Sequence, residues 1–338
     1  MTRLQPILGL RAVALLVLVS VLAVGGCGDG ESAGSDGGEA PEVPYTIVAT
    51  IGMIGDLVEQ VAGDRAEVVT LMAAGIDPHL YSPTRTDIQT IQDADVVFYN
   101  GLLLEGRMTD ALIRAATSGK KVHAVTELID EATLLEPEEF EGLYDPHVWM
   151  DPSAWEQTVT VIEQKLSEID PEGAPIYSTN AGQLVDQLRE LDGYAEDVLT
   201  SVPEGRRVLV TAHDAFNYFG ERFGYEVVGI QGLSTESEAG VQDIERLVDL
   251  LVERDITAVF IESTINPRNV EALVNGAKAR GHDVVVGGEL FSDAMGPVGS
   301  YEGTYVGMID HNVSTVAKAL GGEVPEGGMQ GKLGSAEE

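Results

Sequence analysis

GAPIYSTNAGQLVDQLRELDGYAEDVLTS, residues 173–201, is the stretch that divides this chain into its parts. Leu184, Leu188, Leu191, Ala195, Val198 and Leu199 recur there at the three- and four-residue spacing of one helix face. About 25 continuous residues at about 1.5 Å rise make a rod about 38 Å long, enough to run the length of a domain. A second helix is predicted just before it, over residues 152–168, ended by Asp170-Pro171. Whatever lies on either side is therefore joined by stiff material, and wide hinge closure is not expected.

Outward from the rod, both flanks show the same alternation. Before it, strand-like runs at 46–50, 66–72, 95–99 and 121–125 alternate with helical patterns at 54–61, 85–92 and 105–117. After it, strands at 207–211, 225–230, 256–261 and 283–286 alternate with helices at 215–223, 241–253, 267–279 and 304–320. Strand-helix alternation of this kind is the signature of α/β lobes with parallel sheets. The expected fold is α/β, with two lobes each holding a four-stranded, mostly parallel sheet, bridged by one long rigid helix. The expected limits are 45–172 for the first lobe, 173–201 for the bridge and 202–322 for the second lobe, with a flexible tail at 323–338. A chain of 338 residues is long enough to supply both cores.

The N-terminus reads as an export signal over residues 1–26. Arg3 and Arg11 flank an apolar run, residues 12–24, that is too short to span a bilayer as a permanent helix. It ends in Val24-Gly25-Gly26-Cys27, which resembles the lipobox at which bacterial lipoproteins are cut and acylated, so lipidation is expected at Cys27. Cys27 is the only cysteine, which excludes an internal disulfide. Residues 27–44 are rich in Gly, Ser, Asp, Glu and Pro, a disordered tether between lipid and domain. The mature protein is expected on the outer face of the cell membrane. Its 56 acidic against 20 basic side chains, a formal charge of −36, argue against nucleic acid or an anionic membrane surface as partner. Acid excess spread along a whole chain reads as solubility or a salty habitat, and is compatible with collecting cations.

Ligands of parallel α/β sheets bind beyond the carboxyl ends of the strands. Three of the six histidines fall near such ends: His79 in Asp77-Pro78-His79, His147 in Asp145-Pro146-His147-Val148-Trp149-Met150-Asp151-Pro152, and His213 in Thr211-Ala212-His213-Asp214. Proline fixes φ and biases the residue before it away from helix, so the repeated Asp-Pro-His triplet places two imidazoles in stiff corners. A neutral imidazole held in place beforehand is the commonest protein metal donor. Asp293, in Glu289-Leu290-Phe291-Ser292-Asp293-Ala294-Met295-Gly296, lies beyond another strand end and is the candidate fourth donor. Two donors from each lobe would put an ion in the interlobe cleft. Donors spread from residue 79 to 293 match no local zinc-site spacing, so the duplicated triplet carries the reading. His123 inside a strand, His282 at a turn and His311 in a helix are assigned to structure or surface.

Several segments together resemble the metal-binding solute receptors of zinc and manganese ABC transporters. They are Asn100-Gly101-Leu102-Leu103-Leu104-Glu105, residues 145–152 and 211–219, Ile261-Glu262-Ser263-Thr264-Ile265-Asn266-Pro267 and residues 288–312. The run from Glu289 to Gly296, followed by Glu302-Gly303-Thr304-Tyr305-Val306-Gly307-Met308, is most similar to the TroA-type members. The resemblance covers nearly everything from Tyr45 to Leu320. It implies two four-stranded lobes bridged by one long helix with the ion between them, and ligands at His79, His147, His213 and Asp293. It also implies that Glu262 stands beside the site without holding the ion.

Three imidazoles and a carboxylate suit Zn2+ and accept Mn2+ or Fe2+. Many zinc-dedicated relatives carry a histidine-rich acidic loop before the second ligand, whereas Glu136-Pro137-Glu138-Glu139-Phe140-Glu141 has acids and no histidine. Zinc is favoured, with manganese expected to bind as well. The expected protein is a monomeric receptor, not an enzyme, that loads a divalent ion and docks on a membrane permease. Its affinity is expected to fall as pH drops through about 6 to 7 and the imidazoles protonate. The alternatives are a surface adhesin with the same metal site, or a zinc hydrolase. Hydrolysis would need an open coordination position, and no His-Glu-x-x-His stretch is present.

Overall fold

The computed structural model describes residues 44–334 apart from 138, 139 and 141. The expected signal peptide, the Cys27 lipidation site, the tether up to residue 43 and residues 335–338 of the tail lie outside the described residues.

The first lobe is a parallel sheet of β1 (Tyr45–Ala49), β2 (Ala66–Thr70), β3 (Val96–Tyr99) and β4 (Lys121–Ala124), in the order β2-β1-β3-β4. Parallel neighbours need crossovers, supplied by α1 (Gly52–Ala62), α2 (Arg85–Asp93) and α3 (Thr109–Thr117). α2 begins at a capping box, with the Thr84 hydroxyl on the Asp87 N–H and the Asp87 carboxylate on the Thr84 N–H. The helix expected from residue 105 starts later. Glu105 is buried and turned inward, its carboxylate accepting from Thr50 Oγ1 and Asn100 N, both at 2.7 Å, and only a short 3-10 turn at Gly106–Met108 precedes α3.

Between the two sets of strands run α4 (Pro152–Ile169), within the expected first lobe, and α5 (Ala174–Thr200), over the expected bridge. α5 has 27 residues, about 40 Å at the helical rise. Its buried face is Tyr177, Ala181, Leu184, Leu188, Leu191, Ala195 and Val198, the i, i+4, i+7 series of one stripe. That stripe packs on α4, on α1 of the first lobe and on α9 of the second. Tyr177 also meets the Tyr45 hydroxyl of β1 at 2.7 Å. The largest core cluster consequently runs without a break from Val48 and Trp155 through Leu188 to Phe219 and Phe260.

The second lobe runs β5 (Val208–His213), α6 (Asn217–Phe223), β6 (Glu226–Gln231), α7 (Val241–Glu253), β7 (Ala258–Glu262), α8 (Arg268–Ala279), β8 (Val285–Leu290) and α9 (Tyr305–Leu320). Its four strands form two parallel hydrogen-bonded pairs, β5–β6 and β7–β8, with β5 lying beside β7. At the seam between the pairs the Glu262 side chain, in place of a backbone carbonyl, takes the His213 N–H at 2.8 Å. β8 runs four residues further than the expected 283–286, through Gly287 and Gly288. Those glycines are there because α9 and β7 press on them: a Cβ on Gly287 would stand 2.7 Å from Ala319 Cβ and 2.8 Å from the Phe260 ring.

The tail expected to be flexible is docked over its described residues 323–334. Glu323 N donates to Ser201 Oγ at 2.8 Å, and Met329 N donates to Asp310 Oδ2 at 2.9 Å, joining Tyr301 and Ser314 as donors to that buried carboxylate.

Candidate metal centre

The two Asp-Pro-His triplets fold alike. Asp77 Oδ1 accepts the His79 N–H and Asp145 Oδ1 the His147 N–H, each at 2.9 Å, so each aspartate closes a turn around its proline and presents the histidine two residues on. His79 lies in the loop between β2 and α2, and His147 directly precedes a 3-10 turn, Val148–Met150, that leads into α4. His213 is the last residue of β5. Asp293 follows β8 in a segment pinned by Asn312, which exchanges two bonds with the Phe291 backbone at 2.9 and 2.7 Å. Trp149 Nε1 adds a bond to Ser292 O at 2.8 Å, tying the segment to the first lobe.

These four side chains, predicted from sequence as the donors, converge. One potential ligand atom from each of His79, His147, His213 and Asp293 lies within 4.8 Å of all the others. His147 Nε2 stands 3.3 Å from Asp293 Oδ1, while Asp293 Oδ2 is 3.2 Å from His213 Nε2 and 3.7 Å from His79 Nε2. His79 Nε2 and His147 Nε2 are 3.2 Å apart. Donors at about 2.0–2.2 Å from a tetrahedral metal are separated by edges of about 3.3–3.6 Å, so the spacing suits a single ion. His147 and His213 are fully buried, and His79 is 6% exposed. Yet His213 Nε2 and both carboxylate oxygens of Asp293 have no aligned hydrogen-bond partner. Three such buried atoms facing one point are costly unless something binds there.

The surroundings orient two of the rings. Asp145 Oδ1 stands 2.7 Å from His147 Nδ1 and Glu262 Oε2 stands 2.5 Å from His213 Nδ1. A carboxylate only accepts, so each fixes the proton on Nδ1 and turns Nε2 to the centre. Glu262 stands behind the His213 ring, on its Nδ1 side. Asp145 does for His147 what Glu262 does for His213. In the sequence Asp145 reads as a corner residue only, although its place in the duplicated triplet marks it. Burial alone would depress His147, but Asp145 and Asp293 outweigh it and hold the imidazole up at about 9. His213 is likewise raised, with the carboxylates of Glu262 and Asp293 overcoming burial. Burial dominates at His79 and lowers it to about 4. Asp293, which burial would lift, is held well below the usual carboxylate range chiefly by His213 and His147.

The remaining histidines serve structure. His282 and His311 reach the carbonyls of Ile256 at 2.7 Å and Glu289 at 2.9 Å, and His123 lies against Phe98 on the first sheet.

Two parallel α/β lobes on a shared helical spine, with a buried three-imidazole, one-carboxylate cluster between them, define a two-lobed protein of metal-binding type. Residues 47–319 match the profile of the ZnuA family, the periplasmic component A of the zinc-uptake complex, and the chain belongs to that family. It is 43% identical to the manganese-binding lipoprotein MntA of Bacillus subtilis over 304 residues, 90% of this chain and 97% of that one. It is 44% identical to the zinc-binding protein TroA of Treponema pallidum over 274 residues, 81% and 88% of the two chains. The solved structure of that TroA superposes with a TM-score of 0.79, covering 82% of this chain and 99% of its own. Fe(III)-bound YtgA of Chlamydia trachomatis, 29% identical, superposes at 0.74, covering 83% and 100%.

Proposed function

We propose that this protein is the extracytoplasmic receptor of a metal-ion ABC transporter. It captures a divalent transition metal, zinc in preference to manganese, on His79, His147, His213 and Asp293 and delivers it to the membrane permease. The observation that carries this reading is the set of three buried donor atoms without an aligned hydrogen bond, His213 Nε2 and Asp293 Oδ1 and Oδ2, facing the other two imidazoles. Four donors, three of them imidazoles, favour zinc, and the Asp293 carboxylate keeps manganese acceptable. The names of MntA and TroA, one manganese-binding and one zinc-binding, support both cargoes. In this reading residues 1–26 are the export signal, Cys27 carries the lipid, and residues 28–44 let a monomer reach the permease from the outer face of the membrane. Among the described residues no helix is long and apolar enough to cross a membrane.

Hydrolysis fits the site poorly. A zinc hydrolase keeps an open coordination position and a free general base. Here all four donors are buried, and the nearby carboxylates of Asp145 and Glu262 are engaged by His147 and His213.

Calorimetry with zinc and manganese tests the receptor. One ion per chain is expected, and His147→Ala should weaken binding by more than about 100-fold, beyond the range seen for losing an orienting partner alone. A chromogenic ester should not turn over. Unchanged affinity in that variant would remove His147 from the donor set.

A further inference from the structure

His147 and His213 each have a carboxylate behind the ring, but among the described residues none lies within ion-pair distance of His79 Nδ1. His79 is held through its backbone instead, and from across the cleft. Asp77 Oδ1 accepts the His79 N–H, while Asp77 Oδ2 accepts the hydroxyl of Thr235 in the second lobe at 2.6 Å. The next residue, Glu236, takes Arg107 Nε at 3.2 Å, and the same guanidinium donates from Nη1 to Leu80 O at 3.1 Å. Consecutive residues of the segment between β6 and α7 thus grip the chain on both sides of His79. The two grips are unequal. Arg107 and Glu236 are 44% and 55% exposed, where an ion pair contributes little, whereas Thr235 is buried at 7%. Outside His79 lies a cavity of about 380 Å³ walled by Leu102, Leu143, Pro146 and Leu233, so the loop is not packed against solid protein on that side.

We infer that Thr235 is a positioning residue. Through Asp77 it sets His79, so the donor set is complete only while the 232–239 segment of the second lobe is docked on the first. Lobe contact and ion retention are thereby coupled at one hydroxyl, and undocking that segment frees the one imidazole with no carboxylate behind it. This rests on the metal-receptor reading above.

The test is zinc release from the loaded protein into excess chelator, followed by stopped flow. Thr235→Val removes the hydroxyl at nearly constant volume and should speed release about tenfold, as expected for a lost bond to a charged acceptor. Thr235→Ser should restore the wild-type rate, and the melting temperature of the ion-free Thr235→Val protein should fall by only a few degrees, the cost of one buried bond to a charged acceptor. In a His79→Ala background Thr235→Val should add nothing. Thr235→Ala carries the same test should the valine variant not fold. Wild-type release from Thr235→Val or Thr235→Ala, or a threonine effect that survives loss of His79, overturns the inference. Wild-type protein that takes up no zinc defeats the receptor reading instead, so the two failures are distinct.

Discussion

Asp77 and Asp145 show how one tripeptide serves two purposes. Both close the same turn, but Asp145 also reaches the Nδ1 of its own histidine, while Asp77 turns its second oxygen to Thr235 across the cleft. Glu262 combines the two tasks of Asp145 from another strand, taking both the backbone N–H and the ring Nδ1 of His213. A glutamine there keeps the volume but has one acceptor where two donors converge, and its amide N–H opposes whichever donor it meets. Glu262→Gln should therefore lower zinc affinity about 10–100-fold, the usual effect of losing a partner that orients a metal ligand. Competition with a chelator of known strength checks this. An affinity within twofold of wild type would mean that His213 needs no help to hold its orientation.

Among the elements, α5 determines most. Leu188 is fully buried at its middle, in the cluster that joins Val48 of β1 to Phe260 of β7. Truncating such a residue removes its transfer free energy and leaves a cavity, so Leu188→Ala should cost about 2–5 kcal/mol. Because the cluster crosses from lobe to lobe, the loss should appear as a shift of one cooperative transition. Chemical denaturation followed at once by tryptophan fluorescence and far-ultraviolet dichroism checks that. Two separated transitions would show that the lobes fold independently. This helix was legible in advance because a long stripe at helical spacing has one reading. The cluster of His79, His147, His213 and Asp293 was legible for a different reason: strand ends and Asp-Pro corners are local signals. What was not legible depends on contacts between distant residues. The Gly287-Gly288 pair reads as a strand end until α9 is seen pressing on it. The seam between β5 and β7 follows from the placement of Glu262, and the docked tail from its bonds to Ser201 and Asp310. Thr235 carries no mark in the sequence at all, since its importance comes only from what faces it.

For the whole molecule the ion and the proton compete for the same nitrogens. Without metal, His147 is raised from its ordinary 6.5 to about 9 because Asp145 and Asp293 outweigh its burial. A raised folded-state value means that the protonated ring contributes stability fully below about pH 6.5, the unfolded value, and that this contribution is lost as pH rises through about 9. Metal binding runs the other way, since coordination needs the neutral imidazole and expels the proton. The competition therefore extends upward to at least about pH 9, with His213 also raised, beyond the 6 to 7 expected for ordinary histidines, while His79, lowered to about 4, does not take part. At a free zinc concentration about 100 times the dissociation constant, binding adds about 2.7 kcal/mol to stability, several degrees of melting temperature in a chain this size. With free zinc held constant by a metal buffer, the gap in melting temperature between loaded and ion-free protein should widen from pH 6.5 to 8.5. Zinc binding at pH 7.5 should also release at least one proton, read from the dependence of the calorimetric heat on buffer ionisation enthalpy. A gap that narrows over that interval, or heats independent of buffer, would show that the imidazoles already stand neutral before the ion arrives.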